Sequence, residues 1–291
     1  MDLGSGTYES LETRVSRIIG DTVVRSRTLT GGKMGDVVRI AFQQHAPVVA
    51  KSASPEARLD LEANMLRRLR EPGTVPVPEV LFASDDLLIL EFMPGVHLQP
   101  AAEPHCGALL AELHDITGHA HGFDGPTLNG RIVLSSPWTE SWVEFYGRYR
   151  LGFALELADD QRRLPPPIHD DLERVLDRLP RLIREPEAPS LLHGDLWAAN
   201  VLSDGDRVTA FLDPSTCYGD PEIELAYVDA WGSFGQGFWD AYTARRPIDE
   251  GFQRLRRHVY ALYPLLMHVY YFGDRFLPRL RETIDALRPH L

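Results

Sequence analysis

The spacing of apolar residues is mainly strand-like in the first ninety residues of the chain and mainly helical afterwards. A helical stripe at residues 11–19 is followed by short runs rich in β-branched residues, separated by residues that favour turns. Such runs are typical of strands. They predict five strands, at residues 23–30, 37–42, 48–50, 77–82 and 87–92. Because short turns connect the first three runs and the last two, we expect one antiparallel N-terminal sheet.

The second part of the chain has mainly helical periodicity. One hairpin interrupts it, because apolar residues flank the turn at 204–206 and a further apolar run precedes it at 190–192. Helices are expected around residues 106–117, 138–153, 172–183, 223–231, 234–244, 252–273 and 277–287, the sixth with a kink at Pro264. We therefore predict an α+β fold, with a five-stranded antiparallel sheet and helix followed by a mainly helical lobe.

The lobe boundary is predicted at Met93-Pro94-Gly95, because proline and glycine after a buried strand mark a hinge or linker. This division gives an N-terminal lobe at residues 1–93 and a C-terminal lobe at residues 94–291. Each lobe then has its own type of secondary structure, and a cleft between the lobes is the natural place for a ligand.

A helix is predicted after the third strand, with Ser54 as its N-cap and Pro55 at its first position. Glu62 lies between the apolar positions of this helix, so its carboxylate should face inward and require a cationic partner. Lys51, at the end of the strand at 48–50, is the available cation. The alternative is that Glu62 lies at the edge of the apolar stripe and reaches water.

Composition limits the function classes. The chain has 291 residues, of which 44% are hydrophobic and 25% charged, so it can bury a substantial core. Its net charge of -12 argues against a general nucleic-acid or acidic-membrane binder. No basic segment followed by an apolar one opens the sequence, and two cysteines are too few for a disulfide framework. We expect a cytoplasmic protein without nucleic-acid or membrane partners.

The most informative motif is His193-Gly194-Asp195, with Asn200 five residues after the aspartate and Asp213 at the end of the predicted hairpin. This is the spacing of the catalytic loop and metal-binding aspartate of kinase-type phosphotransferases. Asp195 is the candidate base for the attacking hydroxyl. Asn200 and Asp213 offer the oxygen ligands that Mg²⁺ prefers. The alternative is a plain turn at His-Gly-Asp and a strand-end cap at Asp213.

The N-terminal part supplies the residues expected to bind the nucleotide. Gly31 and Gly32 lie between two predicted strands, where backbone N–H groups could approach phosphates closely, although many such glycine pairs are plain hairpin turns. Lys51 lies in a Val-Ala-Lys setting, which is typical of the lysine that meets the α and β phosphates of ATP. Backbone groups from Glu91 to Met93 are expected to hold the adenine, unless this segment is an ordinary strand exit.

The chain resembles the fructosamine-3-kinase (ketosamine kinase) family. The resemblance is strongest in residues 192–200 and 213–226, and it extends to residues 138–151 and to the C-terminal helices. It implies a two-lobed protein-kinase-like fold, shared with aminoglycoside phosphotransferases and choline kinases. It also implies ATP-dependent phosphorylation of the sugar 3-hydroxyl of ketosamines, free or protein-bound, which is a deglycation-repair activity.

By this resemblance Asp195 is the base, and Lys51 and Glu62 form the pair that positions the phosphates. It also implies that Asn200 and Asp213 bind Mg²⁺ and that Trp197 lies beside the sugar. An aromatic face can pack on the C–H side of a sugar; the alternative is a core tryptophan beneath the loop. The glycine-rich loop has Lys33 and Met34 where some members of the family carry a cysteine. Thiol-controlled dimerisation is therefore not expected, and we expect a monomer.

Two alternatives remain open at this point. One is another small-molecule kinase of the same fold that acts on an aminoglycoside, choline or a free sugar, because one fold hosts several acceptors. The other is a nucleotide-binding pseudokinase. The sequence disfavours it, because all five catalytic positions (Lys51, Glu62, Asp195, Asn200 and Asp213) are filled.

Overall fold

The N-terminal part is the predicted five-stranded antiparallel sheet. The structure, a computed structural model, describes residues 9–29 and 36–291. Helix α1 (Leu11–Ile19) precedes strands that pair in the order β1-β2-β3-β5-β4. The strands are β1 (Val23–Thr28), β2 (Asp36–Phe42), β3 (Val48–Ser52), β4 (Val80–Ala83) and β5 (Leu87–Glu91). Alternate residues of β2 are buried, and Ile40 packs with Val15 of α1 and Ile89 of β5 in a small core.

The helix that follows β3 begins later than predicted. Ser54 makes no side-chain cap; residues Pro55–Ala57 form a 3-10 turn, and α2 (Leu59–Arg70) starts after Arg58, which has φ 54°. The turn between β4 and β5 explains the break. Its carbonyl groups at Asp85 and Asp86 accept hydrogen bonds from the N–H groups of Leu59 and Ala53, which fixes the chain on both sides of the 3-10 turn.

Helix α2 connects the sheet to the rest of the molecule. Its buried side chains, among them Met65 and Leu66, belong to the same large core as the C-terminal helices. Arg68 of α2 also forms a 2.7 Å ion pair with Asp124, which lies beyond the predicted lobe boundary. The division at residues 93 and 94 therefore stays a prediction, because α2 packs on both sides of it.

The C-terminal part is mainly helical, as predicted. Its helices are α3 (Glu103–His114), α4 (Trp142–Tyr146), α5 (Phe153–Asp160), α6 (Pro166–Leu182), α7 (Pro221–Trp231), α8 (Gln236–Arg245), α9 (Arg257–Phe272) and α10 (Leu277–Leu287). The helix predicted from residue 138 starts at Trp142 instead, because Ser141 caps it by accepting the Glu144 N–H. Stretches of π-helix at Gly147–Gly152 and Phe252–Arg256 adjoin α4, α5 and α9. Helix α9 continues through Pro264.

Short strands complete the C-terminal part. The predicted hairpin is present as β10 (Val201–Asp204) and β11 (Arg207–Phe211). It is preceded by β6 (Val96–His97), which pairs with β10, by the β7 (Thr127–Asn129) and β8 (Ile132–Leu134) pair, and by β9 (Ser190–Leu192), which pairs with β12 (Cys217–Gly219). No periodic pattern predicts β6, β7, β8 or β12, since two or three residues are too few to show one.

The segment after residue 93 is fixed to this hairpin. The Thr209 hydroxyl donates a 2.7 Å hydrogen bond to the Pro94 carbonyl, and Val96 pairs with Ser203. Gly95 has φ 138° and lies against Thr209, so a side chain there would meet both backbone strain and a steric overlap. Among the described residues, no helix is long and apolar enough to cross a bilayer.

Candidate active site

The His-Gly-Asp loop leaves the buried strand β9 through a backbone conformation that requires glycine. Gly194 has φ 85°, and a Cβ at this position would overlap the Ser215 carbonyl oxygen. His193 is fully buried; its Nε2 donates to the Leu212 carbonyl at 3.0 Å, and its Nδ1 accepts the Asp195 N–H at 3.3 Å. Burial lowers the pKa of His193, which keeps the ring neutral for this arrangement. His193 therefore holds the loop by hydrogen bonds on both of its ring nitrogens.

A buried carboxylate from α7 holds the same loop. Glu224, 2% exposed, accepts the N–H groups of His193 at 3.0 Å and Gly194 at 2.7 Å. Its Oε2 also contacts His114 Nε2 at 3.0 Å, and the other nitrogen of that ring contacts the Tyr242 hydroxyl at 2.8 Å. Burial opposes ionisation, but these donors outweigh it and lower the pKa of Glu224. Sequence reasoning missed this anchor, although acidic residues at positions 222 and 224 among the apolar residues of this helix were a visible signal.

Asp195 is partly buried at the entrance of the loop and has two hydrogen-bond partners. Tyr227 donates its hydroxyl to Oδ1 at 2.6 Å, and Asn200 Nδ2 lies 3.3 Å from Oδ2 and 2.9 Å from the Asp195 carbonyl. Burial, opposed by the Tyr227 hydrogen bond and reinforced by the charge of Asp213, raises the pKa of Asp195 to about 6. A carboxylate with this pKa is mostly ionised at neutral pH and can accept a proton.

The hairpin brings Asn200 and Asp213 together, as the sequence predicts. Val201 pairs with Phe211, and the Leu212 N–H donates to the Asn200 carbonyl at 2.8 Å. Asn200 is buried, whereas the Asp213 side chain is 55% exposed. Asp213 has φ 51°, a left-handed conformation that costs a non-glycine residue about 1–3 kcal/mol and that tends to cluster at functional sites.

Lys51 joins the sheet to this loop region. Its Nζ lies 2.6 Å from Glu62 Oε1 and also contacts the Asp213 carboxylate. The predicted inward pairing of Glu62 with Lys51 is confirmed, and the alternative of a solvated edge residue is wrong. Burial opposes the charge on Lys51, but Asp213 and Glu62 outweigh it and raise the lysine pKa. Burial raises the pKa of Glu62. Burial also favours the protonated form of Asp213, but the charge of Lys51 outweighs it and lowers the pKa of Asp213.

The other predicted site residues have separate outcomes. Gly31 and Gly32 lie outside the described residues. Glu91 ends β5 and donates its N–H to the Glu79 carbonyl, and Met93 lies two residues further along the exit from the sheet. Trp197 is 43% exposed on the loop after Asp195, so the alternative of a core tryptophan is wrong.

The strand residue Lys51 is paired with Glu62 of α2. It lies beside Asp213, which the hairpin places next to Asn200 and Asp195 of the loop. Together with the sheet and the helical C-terminal part, this arrangement defines a kinase-like phosphotransferase. The chain belongs to the fructosamine kinase family, whose sequence model matches residues 8–289.

Known proteins agree with this family assignment. The "Probable ketoamine kinase" of Vibrio parahaemolyticus is 31% identical over 79% of this chain and 80% of its own length. The chloroplastic protein-ribulosamine 3-kinase of Arabidopsis thaliana is 31% identical over 79% of this chain and 72% of its own length. The crystal structure of a "putative fructosamine-3-kinase" from Thermobifida fusca superposes with a TM-score of 0.87 at 28% identity, covering 97% and 99% of the two chains.

Aminoglycoside phosphotransferase APH(4)-Ia shares the fold. A thermostable mutant of that enzyme, solved as a ternary complex with AMP-PNP and hygromycin B, has a TM-score of 0.68 at 20% identity over 96% of this chain and 97% of that one. This likeness confirms the predicted fold class.

Proposed function

We propose that the protein is an ATP- and Mg²⁺-dependent kinase that phosphorylates the sugar 3-hydroxyl of ketosamines. The observation that carries the proposal is the position of Lys51, whose ammonium contacts Glu62 and Asp213 together. Since Glu62 fixes the ammonium on one side, Lys51 is held where it can meet phosphate oxygens beside Asp213. Membership of the fructosamine kinase family supports the ketosamine acceptor.

Asp195 is proposed as the residue that activates the acceptor. As the sugar O3 forms its bond to the γ-phosphorus, the bond from that phosphorus to the β–γ bridging oxygen breaks and ADP leaves. The O3 proton passes to the Asp195 carboxylate. The pKa of about 6 suits this role, because the carboxylate is ionised at neutral pH yet basic enough to take the proton.

Asn200 and Asp213 fit the proposed magnesium site. Asn200 directs Nδ2 to Asp195, which leaves its carboxamide Oδ1 as a hard oxygen ligand. The half-exposed Asp213 carboxylate offers oxygens beside Lys51. Mg²⁺ is usually held by one or two protein oxygens together with water and phosphates, and it neutralises charge that develops on the phosphates.

Gly31, Gly32 and the backbone from Glu91 to Met93 are proposed to contact ATP. Within the part of the chain that the structure describes, the Met93 N–H donates to no protein group. It is therefore available to an adenine nitrogen. We also propose that residues 1–93 form the nucleotide-binding lobe, that residues 94–291 form the catalytic and substrate-binding lobe, and that the protein acts as a monomer.

Trp197 is proposed to lie against the sugar. Its exposed ring follows Asp195 by two residues, so it can pack on the C–H face of a bound acceptor near the base. The curated relatives are named as a ketoamine kinase and as a protein-ribulosamine 3-kinase, which supports a sugar–amine adduct as the acceptor class.

The decisive experiment is acceptor profiling of the purified protein with Mg-ATP. We expect ADP formation with ribulose-lysine or fructose-lysine, and phosphorylation at O3 by NMR. Choline and kanamycin are the comparison acceptors, and turnover of these two alone would refute the ketosamine assignment. Asp195→Ala is expected to lower turnover by at least about a thousandfold. Equal turnover in the two proteins would remove Asp195 from the role of base.

A further inference from the structure

A patch of aromatic and arginine side chains begins one side chain away from the proposed base. Tyr227, which donates to Asp195, packs edge-on against Trp231, with ring centroids 5.8 Å apart and an interplanar angle of 88°. Trp231 in turn lies 6.0 Å from Phe276. The patch is therefore in continuous contact with the catalytic loop through Tyr227.

Two arginines lie over the aromatic rings of this patch. We call the rings and the arginines together the aromatic–arginine wall (Trp231, Phe272, Arg275, Phe276 and Arg279). The Arg279 guanidinium lies 4.8 Å from the centre of the Trp231 ring. The Arg275 guanidinium lies 4.8 Å from the Phe272 ring centre and 5.0 Å from that of Phe276. A guanidinium over an aromatic ring is held there by a cation–π contact and keeps N–H donors for a planar anion such as a carboxylate.

Among the residues that the structure describes, no carboxylate pairs with the arginines of the wall. Arg275 and Arg279 are exposed, and neither forms an ion pair with a carboxylate in residues 9–29 or 36–291. Asp274 precedes Arg275 in sequence but pairs with neither guanidinium. By contrast, Arg257 on the neighbouring helix α9 is paired with Asp229 at 3.4 Å. Two unpaired cations beside the site of a chain with net charge -12 favour an anionic group on the acceptor.

We infer that the aromatic–arginine wall binds the α-carboxylate of an acceptor built on a free amino acid. This inference rests on the proposed ketosamine kinase activity and narrows its substrate class. A glycated lysine within a protein has a peptide carbonyl in place of that carboxylate, so it cannot make the charge-assisted contact. The preferred acceptor is therefore a free glycated amino acid, and Arg279 and Arg275 are its specificity residues.

The test compares two acceptors that differ only in this charge. They are Nα-acetyl-Nε-ribulosyl-lysine and its C-terminal amide, which have the same sugar and the same secondary amine. Each is assayed with wild type, with the double variant Arg275→Gln/Arg279→Gln, and with the control Arg281→Gln. Arg281 is an exposed arginine of α10, like Arg279, but has no stacking contact with the wall in the described part of the structure.

We expect wild type to have a kcat/KM about tenfold higher for the acid than for the amide, mainly through a lower KM. The double variant should lose this preference, whereas Arg281→Gln should retain both the preference and the kcat of wild type. Equal kcat/KM for the two acceptors in wild type, or an unchanged preference in the double variant, would overturn the inference alone. No phosphorylation of either acceptor would overturn the proposed function and the inference with it.

Discussion

At the residue scale, the state of Asp195 is set by its neighbours. The Tyr227 hydroxyl donates to its Oδ1 and favours the ionised form, whereas burial and the negative charge of Asp213 favour the protonated form. Because burial and Asp213 prevail, the pKa is raised to about 6, and the activity should fall as the pH drops through this value. Tyr227 therefore limits how far the pKa rises.

Replacing Tyr227 with phenylalanine tests this balance. Tyr227→Phe removes the donor to the carboxylate, so the pKa of Asp195 should rise further above its ordinary value. The acid limb of the kcat/KM profile should then move to higher pH, with a loss of about tenfold in kcat/KM at pH 6.5 and a smaller loss at pH 8.5. The measurement is a pH–rate profile at saturating Mg-ATP. An acid limb that stays in place or moves to lower pH would contradict the prediction.

Contacts between residues were predictable from the sequence where they follow from local periodicity. Glu62 was identified as inward-facing from its place between apolar positions, and Lys51 was the nearest strand cation. Tyr227 and Glu224 were not assigned roles, because their partners lie about 30 residues away and are set by how α7 packs on the loop. A sequence pattern without tertiary contacts cannot show such a pairing.

At the element scale, α7 positions much of the site. It carries Glu224, which holds the catalytic loop, and Tyr227, which contacts Asp195. Its N-cap is Asp220, a buried carboxylate that accepts the Glu222 N–H at 2.9 Å and the Tyr260 hydroxyl at 2.8 Å. Burial, reinforced by the charge of Glu222, raises the pKa of Asp220 to about 7.

The raised pKa gives α7 a pH-dependent contribution to stability. In the unfolded chain Asp220 ionises near pH 4. The folded protein keeps its proton up to about pH 7, so the stability gained from this group at low pH is lost as the pH rises from about 4 to about 7. Asp220→Asn keeps Oδ1 as the acceptor for the Glu222 N–H, places an amide N–H donor opposite the Tyr260 oxygen, and cannot ionise.

We therefore expect Asp220→Asn to weaken the pH dependence of unfolding. Between pH 5 and pH 8 the wild type should lose on the order of 2 kcal/mol more free energy of unfolding than the variant does. Urea titrations of the two proteins at both pH values provide the comparison. Parallel changes in wild type and variant would show that Asp220 does not titrate in this range.

The elements were predicted unevenly for physical reasons. The five sheet strands and the hairpin β10–β11 have enough residues for a pattern, and their positions agree with the prediction within a few residues. Strands of two or three residues, such as Val96–His97, form only because their partners are already in place. The predicted start of α2 was wrong because hydrogen bonds to the distant turn at 84–86 determine where this helix begins.

At the scale of the whole molecule, Lys51 joins the sheet to the catalytic region through its contacts with Glu62 and Asp213. Lys51→Met would leave the mostly buried carboxylate of Glu62 without a cation. We expect the free energy of unfolding to fall by about 2 kcal/mol. The rise in melting temperature that Mg-ATP produces in wild type should also be lost, because the phosphates have no ammonium to meet. Differential scanning calorimetry with and without Mg-ATP measures both effects.

The double variant Lys51→Met/Glu62→Gln separates stability from ligand binding. It removes the unpaired carboxylate, so most of the lost stability should return while the response to Mg-ATP stays absent. A normal response to Mg-ATP in either variant would place the nucleotide phosphates away from Lys51.

The shared core around α2 has a consequence for regulation. Many kinases are switched off by swinging the helix that carries the glutamate away from its lysine, which is possible only where that helix is loosely attached. Here Met65 and Leu66 of that helix belong to the same buried core as the C-terminal helices, α2 contacts β7 beyond residue 94, and Arg68 forms an ion pair with Asp124. Displacing α2 would open the main core, so we expect Glu62 to stay paired with Lys51 and activity not to be controlled by movement of this helix.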